Sequence, residues 1–479
     1  MDKIIKSAKF GDISKTLATT QNKIVQKVED DFEPSQIDIL EEYTEILEFV
    51  RSKGQAMFLT GKAGTGKSTA IKYIKHMIPK SAVIAPTTIA AQNVKGSTIH
   101  SFFGFPASVF DPENIQLPIS KLPIIQNLDL LIIDEVSMVS SSLVDAINIS
   151  LQKGKNNKEP FGGIPILFVG DLFQLPPIIE DEEIAKYYGG DDGRYDSEFF
   201  YSAKVFDESM DVQICELKKV KRQEENLSND NKKFVEALNS IRTNTTNIYS
   251  YIDFLNTECF QNKKDESFQD AITLVPTKSK ANGINKDKLD AISNYIKIYQ
   301  GHLQNLGAED LKKFQAPDEL ILKVGTQVVF VNNSKPDWIN GDLGTVTKME
   351  DNCIEVKIHK TGLVKSITRV AFSKYSYEYN TTNKKIESKE IGKFIQFPLN
   401  LGWAITIHKS QGMTLDKVLV DIDGNAFAEG QTYVALSRVK SIEGLKLNSK
   451  LTYGDIKVNQ TILKFYQMIF PESYPINEE

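Results

Sequence analysis

The chain has 479 residues, 41% of them hydrophobic, and carries a formal net charge of −6 at pH 7. The negative charge excludes a protein that coats nucleic acid over its whole surface, so any nucleic-acid site must be a local groove. No stretch reaches the roughly 18 uninterrupted apolar residues of a membrane span, and no secretory signal pattern is present, so we expect a cytoplasmic protein with no membrane partner.

Residues 1–30 are polar and lysine-rich, and we predict an extension to which no function is assigned. Residues 31–215 are expected to form a first lobe, because short apolar runs alternate there with helical stretches. The runs are AMFLT at 56–60, SAVIAP at 81–86, DLLIID at 129–134 and IPILFVG at 164–170. Apolar runs of this length between helices predict a parallel sheet that is covered on both faces.

A second lobe is predicted from residues 216–304 and 396–479, which contain the strand-like runs AITLVP at 271–276 and KVLVDI at 417–422. Residues 305–395 between them alternate polar and apolar positions and contain Gly-Asp and Thr-Gly turns, a pattern typical of a small antiparallel barrel. The predicted fold class is α/β, with two parallel-sheet lobes and a β insertion in the second.

The strongest motif is GKAGTGKS at 61–68, which lies between the strand AMFLT and a predicted helix that begins at Thr69. In such a phosphate loop the glycines let backbone N–H groups face phosphate oxygens, the lysine reaches the β- and γ-phosphates, and the serine binds magnesium. The loop predicts a site for ATP and Mg²⁺. Its nucleotide-binding residues are expected to be Gly61, Ala63, Gly64, Thr65, Gly66, Lys67, Ser68 and Thr69.

Two further strand ends carry polar side chains toward this loop. LLIIDEVSM delivers Asp134, which we expect to hold the metal, and Glu135, which we expect to activate the attacking water. FVGDLFQLPP delivers Asp171 and Gln174, and Gln174 is a candidate to contact the γ-phosphate or its water.

Arg222 in LKKVKRQ and Arg438 in YVALSRV lie outside the first lobe. A guanidinium suits the charge that develops on a transferring phosphoryl group, and an arginine from the second lobe would make hydrolysis depend on closure of the lobes. A lone arginine more often forms a surface ion pair, so the residues alone leave both as candidates.

Taken together, the motifs resemble those of superfamily 1B helicases of the petite-integration-frequency type, with RecD and the phage Dda helicase as relatives. The resemblance rests on GKAGTGKS, APTTIAAQNVKGSTIHSFFGF, LIIDEVSM, GDLFQLPP, LKKVKRQ, LGWAITIHKSQGMTLDKV and VALSRV, in that order. It covers the chain from about Phe32 to beyond Val439.

The resemblance implies two RecA-like lobes, a wedge at about 104–127 in the first, and an SH3-like barrel in the second. It implies an ATP-dependent 5′-to-3′ helicase that moves on single-stranded DNA and opens forked duplex DNA during replication, recombination or repair. It supports Arg222 and Arg438 as catalytic arginines, and adds Gln36, at the adenine, and Gly412 to the nucleotide contacts. A monomer is sufficient, and dimerisation on DNA is left open.

The strand-binding surface is expected where small hydroxyl groups suit a phosphate backbone. The candidates are Thr87, Thr98 and His100 in the first lobe and Thr406, His408, Lys409 and Ser410 in the second. Phe102, Phe103 and Phe105 follow the first set. We expect at least two of these rings to be buried and retain Phe103 as a candidate contact with a base.

Two alternatives stay open at this point. One is a motor of the same class that acts on RNA or RNA–DNA hybrids, or that displaces proteins rather than base pairs, since only contacts to the 2′-hydroxyl would discriminate RNA. The other is a nucleotide-gated binding module, which would be indicated by ATP turnover that does not rise with added single strand.

Overall fold

The computed structural model describes the residues 40–87, 90–91, 94–105, 112, 115–177, 194–206, 210–218, 228–244, 247–260, 266–334, 337–380, 385–424, 426–471 and 474. The helices and strands of the described residues all lie within the compact unit that begins at Glu42, apart from the first residue of one helix, Glu41. The predictions for residues 1–30, Gln36 and Arg222 fall outside the described residues.

The first lobe is built on a six-stranded sheet in which every pair of neighbouring strands is parallel. Its strands are β1 (Ala56–Gly61), β2 (Ser81–Ala85), β3 (Ser97–Thr98), β4 (Leu130–Ile133), β5 (Ile166–Gly170) and β6 (Val212–Leu217). Their order across the sheet is β3-β2-β4-β5-β1-β6. All positions of β1, β2, β4 and β5 are buried, because helices cover both faces of a parallel sheet.

The helices of this lobe are α1 (Glu41–Arg51), α2 (Lys67–Met77), α3 (Ile99–Phe103), α4 (Leu122–Gln126) and α5 (Ser141–Lys155). Side chains fix two of their starts: Thr98 accepts a hydrogen bond from the Ser101 N–H at α3, and Ser140 accepts one from the Leu143 N–H at α5. Since α2 follows β1 through the phosphate loop, the loop lies at the carboxyl edge of the sheet.

The second lobe has a smaller parallel sheet of four strands, β7 (Ile272–Val275), β18 (Ala404–Thr406), β19 (Val418–Val420) and β20 (Leu445–Leu447), in the order β18-β7-β19-β20. Its helices are α6 (Asn229–Thr243), α7 (Ile248–Cys259), α8 (Lys278–Asp290) and α9 (Gln431–Leu436).

An antiparallel insertion separates β7 from β18. A five-stranded sheet has the order β14-β13-β12-β11-β17, a second sheet pairs β10 with β8, and a third has the order β15-β16-β9. The strands are β8 (Lys297–Gln300), β9 (His302–Gln304), β10 (Glu319–Leu322), β11 (Gln327–Phe330), β12 (Leu343–Met349), β13 (Ile354–Ile358), β14 (Val364–Ile367), β15 (Val370–Asn380), β16 (Lys385–Gln396) and β17 (Leu399–Leu401). The predicted α/β class with a β insertion in the second lobe is confirmed.

Part of the predicted wedge at 104–127 belongs to the first lobe's core. Ile124 and Ile125 on α4 are buried there, whereas Ile119 is 83% exposed just before this helix. Residues 106–111 and 113–114 of the segment lie outside the described residues.

The last helix, α10 (Gln460–Ile469), packs against the first lobe, although the sequence grouped all of 396–479 with the second. Ile462 and Tyr466 enter the first lobe's core, and the Tyr466 hydroxyl lies 2.6 Å from the Thr60 hydroxyl on β1. The apolar face of α10 is covered by residues remote in sequence, a pairing that local patterns do not reveal.

Among the described residues, no helix combines the length and the apolar character that crossing a membrane requires.

We expect Tyr466→Ala to lower the free energy of unfolding by about 3 to 5 kcal/mol, because it empties a fully buried aromatic position. Tyr466→Phe should cost about 1 to 3 kcal/mol, since it leaves the buried Thr60 hydroxyl without this partner. Urea unfolding of both variants measures the effects. Met468→Ala, at a position of the same helix that is 80% exposed, is the control, and an equal loss there would contradict the packing role of Tyr466.

Candidate active site

The phosphate loop connects the buried end of β1 to the first turn of α2. Gly64 and Gly66 have φ angles of 87° and 95°, a region that side chains with a Cβ rarely adopt, and Gly66 is the N-cap of α2. Backbone N–H groups at the start of a helix attract anions, because they lack partners within the helix and the helix dipole is positive there. The loop therefore has the form that a chain of phosphates requires.

Lys67 is folded over this loop. Its ammonium group donates hydrogen bonds to the carbonyl oxygens of Gly61, at 2.6 Å, and Lys62, at 3.1 Å. Burial lowers the pKa of Lys67, and the nearby charges of Asp171 and Glu135 oppose that shift. The lysine thus lies between the loop and the carboxylates that follow the neighbouring strands.

Asp134 and Glu135 follow β4. The Asp134 carboxylate accepts a hydrogen bond from the Glu135 N–H at 2.9 Å, and Glu135 has a φ of 51°, an uncommon value for a residue other than glycine. Burial, and then the charge of Glu135, raise the pKa of Asp134 to about 7. Burial also raises the pKa of Glu135.

Two adjacent carboxylates, Asp134 buried and Glu135 half-buried, fit a site for a divalent cation, since an added positive charge relieves both burial and repulsion. Mg²⁺ is commonly held by one or two protein oxygens together with phosphate oxygens and water, and Ser68 and Asp134 are the residues predicted from the sequence for that role.

Gln411 reaches this site from the second lobe. Its amide nitrogen donates to the Glu135 carboxylate at 3.2 Å and to the Gln174 side-chain oxygen at 3.4 Å. The sequence singled out Gln174 and the neighbouring Gly412, but not Gln411. The available signal was its position within TIHKSQGMTLD, the run that supplied the second-lobe candidates.

Asp171 and Arg242 form an ion pair between the lobes. Asp171 follows β5 and is fully buried, and Arg242, near the end of α6, is 1% exposed. The guanidinium donates to the carboxylate through Nη2 at 2.8 Å and through Nε at 3.1 and 3.2 Å. Burial alone would raise the pKa of Asp171, but Arg242 and Lys67 outweigh burial and hold that pKa below its usual value.

Aromatic residues complete the surroundings of Arg242. Its Nη1 donates to the Tyr474 hydroxyl at 2.6 Å, and the guanidinium carbon lies 4.4 Å from the centre of the Phe173 ring. Such contacts satisfy a buried cation from several sides. Arg242 was missed by the sequence reasoning, because it lies in no recognised motif and its partner is 71 residues away.

Tyr433 links the same pair to the phosphate loop. Its hydroxyl accepts a hydrogen bond from the Ala63 N–H at 3.2 Å and donates to Asp171 at 3.4 Å. Three residues earlier, Gly430 has a φ of 69°, and a Cβ there would lie 2.4 Å from the Phe173 carbonyl oxygen. Glycine at this position lets α9 approach the first lobe closely enough for the Tyr433 contacts.

Arg438 is 5% exposed and lies near the nucleotide site. Its guanidinium donates to the carbonyl oxygens of Val434, Ser410 and Met413, and its charge lowers the pKa of Glu135 against the larger effect of burial. The structure thus places this predicted arginine on the second lobe, within electrostatic range of the proposed base.

The predicted strand contacts differ in accessibility. Thr87 and Thr98 are partly exposed, and their hydroxyls also accept hydrogen bonds from the N–H groups of Ala90 and Ser101. His100 is partly exposed beside Phe105.

The second-lobe candidates lie at the end of β18 and in the turn that follows it. Lys409 is exposed and His408 is half-buried. Thr406 is 5% exposed, and its hydroxyl accepts a hydrogen bond from the Lys409 N–H at 3.2 Å, so it positions the turn.

Besides Thr406, which is buried and positions the turn, two further predicted contacts are corrected by the structure. Phe103 is fully buried, between Phe102 at 4.8 Å and Phe105 at 5.1 Å between ring centres, so its ring is not available to a base. Ser410 is also fully buried, and its hydroxyl donates to the Ile407 carbonyl. Small hydroxyls and aromatic rings suit a strand-binding surface and a core equally well, so composition did not separate the two.

We expect Arg242→Met to lower the free energy of unfolding by about 3 to 5 kcal/mol, because the Asp171 charge would stay buried without its partner. Combining it with Asp171→Asn should restore part of the loss, and a double-mutant cycle in urea unfolding measures the coupling.

The matched control for this experiment is Lys348→Met in the exposed pair Lys348–Glu350, which should leave unfolding unchanged. Additive effects of Arg242→Met and Asp171→Asn would contradict a specific pair between the lobes.

Comparison with known proteins places this geometry in a family. The sequence profile described as PIF1-like helicase matches residues 33–249. The ATP-dependent DNA helicase Pif1 of Bdellovibrio bacteriovorus is 30% identical over 444 residues, which cover 90% of this chain and 92% of that protein. The Campylobacter jejuni Pif1 is 28% identical, over 86% of this chain and 94% of that protein. The chain spans 62% of the longer Pif1 of Emericella nidulans.

Solved structures agree. The Bacteroides sp Pif1 in complex with ADP-AlF4 is 34% identical with a TM-score of 0.79, over 92% of this chain and 99% of that one. The Bacteroides Pif1 bound to ssDNA is 34% identical with a TM-score of 0.65, over 91% of this chain and 98% of that one. The chain therefore belongs to the PIF1-like helicases, the family that its motifs resemble.

Proposed function

We propose that this chain hydrolyses ATP between its two lobes, moves in the 5′-to-3′ direction on single-stranded DNA, and thereby opens duplex DNA. The observation that carries the proposal is the contact of Gln411 with both Glu135 and Gln174, because it joins a second-lobe side chain to the two first-lobe groups expected to handle the attacking water. Because residues of both lobes form the site, binding and hydrolysis of the nucleotide would change the distance between the lobes.

Binding of the nucleotide is assigned to the phosphate loop. Backbone N–H groups between Gly61 and Lys67 would donate hydrogen bonds to the phosphates. The Lys67 ammonium would also bind the phosphates, and would leave the two carbonyl oxygens that it now contacts. Ser68 and Asp134 would hold Mg²⁺, which when bound neutralises part of the phosphate charge. Nucleotide use in this family is consistent with the ADP-AlF4 complex of the Bacteroides protein.

Hydrolysis is assigned to Glu135 and Gln174. Glu135 accepts a proton from the attacking water, and a pKa raised by burial brings this carboxylate closer to the working pH, where a general base is most effective. Gln174, which is 7% exposed, orients the same water. Arg438, and Arg222 outside the described residues, would stabilise the developing charge on the phosphoryl group.

Movement along the strand requires a strand-binding site on each lobe. Thr87, Thr98 and His100 would contact the strand on the first lobe, and His408 and Lys409 on the second, while Gln411 directly follows that second turn. Closure of the lobes around the nucleotide therefore shifts the strand contacts of one lobe relative to those of the other. The direction of movement rests on the family resemblance.

The expected partners are single-stranded DNA and forked duplex DNA. One chain carries every part of the site, so a monomer suffices, and a second copy could join on DNA, as in the structure of two coordinating Pif1 helicases that unwind DNA at forked dsDNA. Replication, recombination and repair are the proposed settings.

Glu135→Gln should reduce ATP turnover by at least about 100-fold, because it removes the proposed base, whereas single-stranded DNA binding should stay within a few-fold of wild type. Lys67→Ala should reduce ATP turnover similarly, because it removes the ammonium group that is expected to bind the phosphates. Steady-state ATPase assays and fluorescence anisotropy with a labelled dT oligonucleotide measure the two properties.

Glu355→Gln, at a partly exposed position on β13, is the matched control for Glu135→Gln and should behave as wild type. Retention of most of the ATPase by Glu135→Gln would overturn its assignment as the base.

Unwinding of two matched partial duplexes, one with a 5′ tail and one with a 3′ tail, tests the whole proposal under single-turnover conditions. We expect only the 5′-tailed duplex to open, and only with ATP. Opening from the 3′ tail would reverse the direction. ATPase that single-stranded DNA stimulates without opening of either duplex would indicate a translocase, and ATPase without stimulation would indicate a nucleotide-gated binder.

A further inference from the structure

One aromatic ring beside the second-lobe turn differs from those of the first lobe. Phe102, Phe103 and Phe105 are at most 7% exposed, so none of them offers a free face to a base. Phe427, which precedes α9, is 58% exposed. Exposure of a large aromatic ring costs hydration free energy, which binding of a flat apolar partner would recover.

The Phe427 ring is oriented by His408. The two ring planes are nearly parallel, at 15°, with their centres 6.1 Å apart, which corresponds to an offset stack. The Phe427 N–H donates to the side chain of the fully buried Gln431 at 3.1 Å, so the backbone beneath the ring is fixed. The exposed ring therefore has a defined direction beside a predicted strand contact.

Two lysines, Lys278 and Lys409, lie near His408, the residue on which this ring stacks. Lys278, the first residue of α8, is exposed and lies close enough to His408 and Lys409 for its charge to lower the pKa of both, after the larger effect of burial. Lys280 on the same helix pairs with Asp421 at 2.9 Å, whereas Lys278 has no carboxylate within 4 Å among the described residues. Two lysine ammonium groups, those of Lys278 and Lys409, without a carboxylate within 4 Å among the described residues suit a phosphate.

We propose that Phe427 is a stacking platform for one base of the bound single strand, with Lys278 contacting the adjacent phosphate. The inference rests on the proposed function and extends it, since neither residue belongs to the predicted strand contacts. An exposed ring beside unpaired cations is the combination by which proteins bind single strands without reading sequence.

The segment that contains Phe427 connects the proposed base-stacking site to the nucleotide site. Gly430 and Tyr433, only three and six residues further on, contact the first lobe at Phe173, Asp171 and the phosphate loop. One short segment therefore carries the base platform at one end and contacts to the nucleotide site at the other.

The test is the affinity for a dT oligonucleotide and for an abasic oligonucleotide of equal length and charge, measured by fluorescence anisotropy. Phe427→Ala should weaken binding of the dT oligonucleotide by about 5- to 150-fold, the range found where a base stacks on a ring, and should leave abasic binding unchanged. Phe427→Trp should restore the affinity, and its fluorescence should be quenched by the dT oligonucleotide only.

Lys278→Ala should weaken binding of both oligonucleotides and lower the slope of log affinity against log salt by about 0.7, as expected for one lost phosphate contact on a single strand. The matched controls are Tyr295→Ala, at a position 64% exposed between α8 and β8, and Lys288→Ala, exposed in the last turn of α8. Both should bind as wild type.

Equal weakening of dT and abasic binding by Phe427→Ala, with an unchanged melting temperature, would overturn the stacking role. A lowered melting temperature would assign the ring to the fold instead, which also overturns it. Failure of the wild-type chain to bind either oligonucleotide would refute the proposed function itself, so the two failures are distinguishable.

Discussion

The ion pair between Asp171 and Arg242 holds the two lobes together beneath the phosphate loop. Both groups are buried, and each would be costly alone, so the pair stabilises only the arrangement in which α6 lies against the end of β5. Lys67 and Tyr433 are placed around the same carboxylate. This contact therefore helps to fix the position of the phosphate loop relative to the second lobe, together with the hydrogen bond from Ala63 to Tyr433.

The interface between the lobes has a strong part and a weak part. Around Arg242, the charged hydrogen bonds are 2.8 to 3.2 Å long and are enclosed by aromatic rings. Around Gln411, the donor is an uncharged amide, and its hydrogen bonds to Glu135 and Gln174 are 3.2 and 3.4 Å long. Charge-assisted contacts of the first kind resist separation more than the second, so Gln411 lies where the interface yields most readily.

How much could be predicted depended on distance along the chain. The phosphate loop, Asp134 and Glu135 each follow a buried strand directly, so local patterns placed them at one sheet edge. Arg242, Tyr433 and Tyr474 act through partners that the fold brings from far away. No local pattern marks Arg242 or Tyr474, and the run YVALSRV that contains Tyr433 drew attention only to Arg438. The burial of individual side chains could not be predicted from the sequence either. Phe103 and Ser410 have the chemistry of a strand-binding surface, and only tertiary packing shows that they belong to the core.

The contact of Thr60 with Tyr466 spans 406 positions of sequence. During synthesis the first lobe emerges from the ribosome long before α10, so β1 must wait for the second lobe and its insertion before its core is filled. Until then the first lobe exposes the apolar surface that Ile462, Tyr466 and Tyr474 later cover. Completion of the phosphate-loop lobe therefore follows synthesis of the second lobe and its insertion, and a nascent chain arrested before α10 would present that surface to chaperones.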